Sequence, residues 1–313
     1  MTIRVLLTGA SSFTGTWFVG ALADRGAEVV APCRDALDAG DLDRRRRLAR
    51  LVGRCRLVGG CPFGSEPFLE LIRTAGPFDL LCHHGAKAGD HRDAGLDPLA
   101  AAARQSHGLE RVLDALAAGG CRAVLLTGTV FEADEGRGDP PLRAIGAYGL
   151  AKTLTWQIFR HHAEARGLTL GKFVIANPIG PLEKPGLCRS LAQAWLAGEA
   201  PVLHRPHLVR DQLMVEPLAM AYADLALKLA IAPKAQRVAP SQFAERLDRF
   251  AHRLAAALGP RLRVPCRFVC AEPPEPSDEP RVRCGVHPLA ELVPGFDVEA
   301  AWDAHARSLL AAA

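Results

Sequence analysis

The chain has 313 residues, 49% of them apolar and 23% charged, with a net charge of +4. That length can enclose one large core or two lobes. The charge is too small and too evenly spread to point to nucleic acid or an anionic membrane, and no apolar stretch is long enough to span a bilayer.

Ile3-Arg4-Val5-Leu6-Leu7-Thr8 is an apolar run of strand length, followed at once by Gly9-Ala10-Ser11-Ser12-Phe13-Thr14-Gly15. Trp17, Phe18, Ala21 and Leu22 then fall at helical spacing, with Gly26 as the stop. Strand, tight turn and helix N-terminus together offer free backbone N–H groups and a positive dipole end, which suit a pyrophosphate. Gly9 permits the turn and Gly15 close helix packing, while Ser12 stands where a dinucleotide fingerprint has its middle glycine. The expected cofactor contacts here are Gly9, Ser11, Ser12, Phe13, Thr14 and Gly15.

The next strand-like run, 28–32, leads to Cys33 and Arg34, where an NAD-type fold usually has an acidic residue on the ribose hydroxyls. A guanidinium there clamps a ribose 2′-phosphate, so NADP(H) is favoured, and Asp35 leaves NAD(H) open. Arg44-Arg45-Arg46-Arg47 reads as a solvated helix face. Further strand-like runs occur at 55–59, 79–83, 123–127 and 171–176. Between two of them a helix is expected from Asp97 as N-cap and Pro98 at N1 to the Gly119-Gly120 stop. The alternation predicts an α/β fold with a doubly wound, Rossmann-like parallel sheet.

Tyr148-Gly149-Leu150-Ala151-Lys152 carries the chemistry, in a chain with two Tyr and six Lys. Residues i and i+4 share a helix face, so the Lys152 ammonium is expected to favour ionisation of the Tyr148 phenol, whose ordinary pKa of about 10 is too high for proton exchange at neutral pH. A Thr hydroxyl of the preceding strand end, Leu125-Leu126-Thr127-Gly128-Thr129, is expected to hydrogen-bond the same substrate oxygen. These parts describe a hydride-transfer site. The nine cysteines form no disulfide framework, and Met1 leads almost directly into the first strand, so reduced thiols in the cytoplasm are expected. Cys266 and Cys270, and His83-His84 with Asp90 and His91, offer no recognisable ligand set, so no metal is expected. Beyond Pro178 the pattern turns to Pro-rich loops and short segments, which reads as a smaller C-terminal substrate lobe. The expected division is 1–178 with 212–242 for the dinucleotide-binding domain and 179–211 with 243–313 for the lobe.

The Gly9–Gly15 turn, Thr127, Tyr148 to Lys152, Asn177-Pro178-Ile179-Gly180-Pro181 and Val209-Arg210-Asp211-Gln212-Leu213-Met214-Val215 resemble the extended short-chain dehydrogenase/reductase family, in its nucleotide-sugar-modifying branch. The resemblance implies Tyr148 as acid/base, Lys152 on the nicotinamide ribose, and Thr127, three residues before Val130-Phe131, orienting the substrate oxygen, with Thr129 as the other candidate. It implies cofactor contacts from His84, Gly85 and Ala86, and substrate contacts from Lys87, Thr129, Asn177 and Arg210, the last offering its fork to a diphosphate. Dehydratases of this branch carry an Asp-Glu pair after the catalytic Thr; here Gly128-Thr129 stands there, which argues against that reaction. The expected function is NADPH-dependent reduction of a keto group on a nucleotide-activated sugar. An NAD-retaining epimerase is the close alternative, and a non-catalytic dinucleotide sensor a more distant one. The resemblance also implies a homodimer through helices near 97–118 and 148–166.

Overall fold

The structure, a computed structural model, describes residues 2–85, 95–272 and 279–311. In chain order the elements are β1 (Arg4–Thr8), α1 (Phe13–Asp24), β2 (Glu28–Pro32), α2 (Leu42–Ala49), β3 (Arg56–Val58), α3 (Glu66–Ala75), β4 (Leu80–His83), α4 (Pro98–Gln105), α5 (Leu109–Ala118), β5 (Ala123–Thr129), β6 (Arg137–Gly138), α6 (Gly146–Glu164), β7 (Thr169–Ile175) and β8 (Asn177–Ile179). They continue with α7 (Leu187–Leu196), β9 (Val202–Leu203), β10 (Val209–Met214), α8 (Val215–Ile231), β11 (Arg237–Val238), β12 (Pro240–Ser241), β13 (Phe243–Arg246), α9 (Leu247–Leu262), β14 (Val269–Cys270), β15 (Val282–Cys284), β16 (His287–Pro288), α10 (Leu289–Leu292) and α11 (Val298–Leu310).

The chain divides into two compact units, one of 1–135, 143–175 and 219–238, the other of 136–142, 176–218 and 239–313. In the first, seven strands pair in the order β11-β7-β5-β4-β1-β2-β3, every pair parallel. The apolar runs of the inner strands are buried on both faces, as a sheet covered by helices requires; Leu6, Leu81 and Val124 are fully buried. Strand order reverses between β1 and β4, so the crevice at their carboxyl ends is where such a sheet takes a ligand. Phe68, Val112, Leu113 and Phe159 from α3, α5 and α6 pack with Leu6 and Leu81 in the core.

The expected helix from Asp97 is two helices. Asp97 caps α4 by accepting from Leu99 N at 2.9 Å and Ala100 N at 3.1 Å. Gly108, at φ +61°, then breaks the run before α5. The break follows from a close approach: a Cβ on Gly64 would lie 1.9 Å from the His107 carbonyl oxygen, and one on Gly108 would lie 2.5 Å from that of Gly64.

In the second unit a mixed sheet runs β13-β10-β15-β6, with β8 pairing β10. Phe250 and Leu254 of α9, Trp195 of α7 and Trp302 of α11 form its core. Trp195 is fully buried and donates its indole N–H to Arg267 O at 2.8 Å, so the largest apolar side chain leaves no polar atom unmet.

Candidate active site

The turn between β1 and α1 is built to bring backbone close to a ligand. Gly9 has φ +83°, and a Cβ there would lie 2.7 Å from Gly85 Cα and N, so the residues after β4 press directly on the turn. A Cβ on Gly15 would lie 2.1 Å from Gly9 O. Ser12 caps α1, its hydroxyl accepting from Gly15 N at 3.0 Å, and no acidic side chain stands in the helix's first turn. The Ser12 and Thr14 hydroxyls also lie 3.0 and 2.9 Å from His84 Nε2. Ser11 O accepts from Arg47 Nε at 3.0 Å, which ties α2 to the turn and buries Arg47; that residue is not on a solvated face as its basic run suggests. Phe13 is buried in the core. The cradle left by Gly9 and Gly15 at a helix N-terminus free of acidic charge fits a pyrophosphate.

Thr8 clasps the ends of β1 and β4. Its hydroxyl oxygen accepts from Gly85 N at 2.9 Å and His84 N at 3.2 Å and lies 3.2 Å from His83 Nδ1. With its acceptor sites taken, the hydroxyl donates to Nδ1. Burial, aided by the Lys152 charge, pulls His83 down to about 3, so the imidazole is neutral at physiological pH.

At the end of β2, Arg34 does not extend an open fork. Its Nε and one terminal nitrogen donate to the two carboxylate oxygens of Asp35 at 2.9 and 2.7 Å, with both side chains about half exposed.

The Tyr-Lys helix is anchored to the Thr-bearing strand by three contacts. Ile145 N donates to Phe131 O at 2.8 Å, and a Cβ on Gly149 would lie 2.1 Å from that same oxygen, so glycine beside Tyr148 lets α6 touch the loop after β5. Ala133 N donates to the Thr153 hydroxyl at 3.0 Å. Lys152 Nζ donates to Thr127 O at 2.7 Å. Thr127 and Thr129 are both buried, the first with its hydroxyl beside that of Tyr222, the second accepting from Phe131 N at 3.3 Å.

Burial pulls the Lys152 ammonium down to about 8, against the upward pull of Glu132. The half-buried Tyr148 phenol is pushed upward, first by burial and then by the Glu132 charge. This direction is opposite to the fall expected from Lys152 alone. Burial is the main reason, and the spacing of Tyr and Lys does not reveal the second, the Glu132 carboxylate, which is buried with Glu135 around Lys172 on β7, itself 1% exposed and 2.6 Å from Glu135. The ammonium also lies 4.5 Å from the centre of the Trp156 ring. Glu132 Oε1 accepts from Thr129 N at 2.8 Å.

In the second unit, Asn177 Nδ2 donates to Asp211 O at 3.1 Å. The Arg210 guanidinium is buried, with one terminal nitrogen on the carbonyls of Val209, Pro280 and Arg281 and the other 2.7 Å from Glu279. In this arrangement the fork expected to meet a diphosphate is engaged by the chain itself. Ala86 and Lys87 lie outside the described residues.

A model of the NAD dependent epimerase/dehydratase family matches residues 5–226. The chain belongs to this family. Solved structures of similar fold include the UDP-glucose 4-epimerase of Thermotoga maritima with UDP-glucose, at 18% identity, 99% coverage of both chains and a TM-score of 0.76. The UDP-glucose 4-epimerase of Thermus thermophilus in complex with NAD is similar at 17% identity over 99% of this chain and 100% of that one, with a TM-score of 0.73. The UDP-glucuronic acid 4-epimerase of Bacillus cereus with UDP-glucuronic acid and NAD matches at 14% identity over 99% of this chain and 100% of that one, with a TM-score of 0.77. A comparison with curated proteins finds no match.

Behind its strand end the chain buries the charged side chains of Lys172, Glu132 and Glu135. Lys172 was the available signal, one cation in the otherwise apolar strand Leu170-Gly171-Lys172-Phe173-Val174-Ile175. A buried ammonium needs carboxylate partners, and Glu132 and Glu135 are those partners.

Proposed function

We propose that the protein is an NAD-retaining epimerase acting on a UDP-linked sugar, with inversion at the sugar carbon that bears the oxidised hydroxyl. The observation that carries this over the ketoreductase reading is the Arg34–Asp35 pair, which takes the guanidinium fork on which a 2′-phosphate preference rested. The full-length likeness to 4-epimerases, two of them in complexes with NAD, supports the same choice.

When bound, NAD supplies a hydride acceptor that returns the same hydride, together with a positive charge near the phenol. In this reading the Gly9–Gly15 cradle and the α1 N-terminus hold the pyrophosphate, and Lys152 holds the ribose. Tyr148, as the phenolate, would take the sugar hydroxyl proton at its phenolic oxygen and return it to the same sugar oxygen once the ketone has turned over and its carbon is reduced from the other face. Thr127 orients the reacting oxygen, and Asn177 contacts the substrate. Burial and then the Glu132 charge hold the phenol neutral in the protein alone, and added positive charge would favour its ionised form.

The test is direct. The purified protein is expected to carry NAD at near-stoichiometric level and to interconvert a pair of UDP-sugars without net consumption of added NADPH. Tyr148→Phe is expected to retain NAD and to lose about 10² or more in kcat. A cofactor-free protein that oxidises NADPH only when given a keto-sugar nucleotide overturns the epimerase reading, and full activity in Tyr148→Phe overturns the assigned chemistry.

A further inference from the structure

The mouth of the Gly9–Gly15 cradle carries polar side chains that a turn working through its backbone alone does not need. Ser12 stands at the place of the middle glycine, and His84, the residue after β4, reaches the N-terminus of α1. Its Nε2 lies 3.0 Å from Ser12 Oγ and 2.9 Å from Thr14 Oγ1, so one ring nitrogen meets two hydroxyls of the same helix start. A third hydroxyl there, that of Thr16, is spent on the chain itself, donating to Ala10 O at 2.8 Å.

The imidazole is held from both ends. It meets Phe18 edge to face at 5.0 Å between ring centres, and Phe18 is stacked on the buried Tyr222 at 3.9 Å. The backbone N–H groups of His84 and Gly85 both donate to the Thr8 hydroxyl, at 3.2 and 2.9 Å. A ring fixed in this way orders the hydroxyls it touches before any ligand arrives, which lowers the entropy cost of binding.

Hydrogen-bond capacity decides what the hydroxyls have left to offer. A ring nitrogen carries either one lone pair or one hydrogen, and a hydroxyl has one hydrogen and two acceptor sites. Ser12 Oγ already accepts from Gly15 N at 3.0 Å, which fixes it in the cap. With a bare Nε2, the Ser12 hydrogen fills the one lone pair and the Thr14 hydrogen is left over. With a hydrogen on Nε2, that hydrogen is shared between the two oxygens and both hydroxyl hydrogens are left over. In each tautomer Thr14, only 7% exposed, keeps a donor at a helix N-terminus that already favours an anion.

We propose that His84 is a positioning residue for the dinucleotide: acting through the Ser12 and Thr14 hydroxyls, it directs the Thr14 hydrogen to a pyrophosphate oxygen and adds a side-chain hydrogen bond to the backbone contacts of the cradle. The inference rests on the reading of the Gly9–Gly15 turn as the pyrophosphate site. A hydroxyl donating to a phosphate oxygen makes a charge-assisted bond, roughly twice as strong as a neutral one.

Calorimetric titration of the full-length protein with NAD tests the proposal. Thr14→Val keeps the branched shape without the hydroxyl and is expected to raise the NAD Kd about tenfold. His84→Phe is expected to do the same, and the double variant to exceed either single one by less than about threefold, because the ring acts through the hydroxyl. His84→Gln, which returns a polar atom near the place of Nε2, and Thr14→Ser, which returns the hydroxyl, are expected to stay within about threefold of wild type. An unchanged Kd in His84→Phe, an additive loss of about a hundredfold in the double variant, or a Gln variant as weak as Phe overturns the proposal. Should His84→Phe fail to fold, the Thr14 pair decides: a loss in Val recovered in Ser supports the proposal, and equal affinities overturn it. A wild-type protein that binds no dinucleotide overturns the cradle reading together with this inference, whereas NAD binding that ignores His84 overturns this inference alone.

Discussion

Lys152→Met is expected to make the protein more stable at neutral pH while abolishing turnover. The side chain is 6% exposed, and burial pulls its ammonium from 10.5 to about 8. At about 1.36 kcal/mol per pKa unit, holding that charge in the folded state costs roughly 3 kcal/mol. Methionine removes the charge and fills the space with a flexible apolar chain. Against this gain stands the lost hydrogen bond from Nζ to Thr127 O, 2.7 Å long and worth about 1.5 to 3 kcal/mol for a charged donor. The net gain near pH 7 is therefore about 1 kcal/mol. Between about pH 8 and 10.5 the unfolded chain binds more protons at this residue than the folded one, so wild-type stability rises through that window. Once the folded amine is neutral, wild type keeps the hydrogen bond at no charge cost, and the variant's advantage reverses. Urea unfolding of both proteins at about pH 7 and about pH 10, with the difference between them as the readout, removes contributions common to both. A pH-independent difference, or a variant less stable than wild type at neutral pH, refutes the reasoning.

Gly15→Ala places a Cβ 2.1 Å from Gly9 O and 2.8 Å from Ser12 Oγ, so it is expected to weaken NAD binding at least about tenfold with the fold retained; calorimetry showing unchanged affinity refutes the cradle. Arg34→Ala removes only an exposed partner of Asp35, so the Kd for NADH and NADPH should each change by less than about threefold, and a loss confined to NADPH would restore the 2′-phosphate role. Lys172→Met leaves Glu132 and Glu135 buried without their ammonium and is expected to cost about 3–5 kcal/mol by denaturant titration. Part of that loss should return in acid, because burial already raises the Glu135 carboxyl; a stability loss independent of pH refutes the pairing argument.

The alternation of strand and helix was legible because buried parallel strands are apolar on both faces, and β2 spans the residues its pattern predicts. The Thr, Tyr and Lys of the candidate site were legible from spacing, since one helix and one strand end carry all three. What escaped was set by contacts distant in sequence. The break at Gly108 depends on Gly64, forty-four positions earlier, and no periodicity in residues 97–118 shows it. The upward Tyr148 shift comes first from burial and then from Glu132, an acid that reads as an ordinary surface residue in the sequence and is buried against Lys172. Arg34 and Arg210 were read as ligand forks from residue type, yet each finds its acid within the chain, Asp35 beside it and Glu279 on a distant segment.

The empty space at Gly128 also restricts which neighbouring sequences this protein can reach one step at a time. Lys172 Cε and Glu132 Oε1 fill the place where any side chain would begin. Gly128→Asp, the first move toward the Asp-Glu pair of a dehydratase, adds bulk against both and a third carboxylate beside two that share one ammonium. Removing Lys172 first strands the acids, and removing the acids first strands Lys172. A side chain at position 128 therefore requires the ends of Lys172 and Glu132 to move aside, and loss of one member of the cluster is expected to be costly while the others remain. The ion pair thus couples the choice of residue at this turn to the charged side chains behind it.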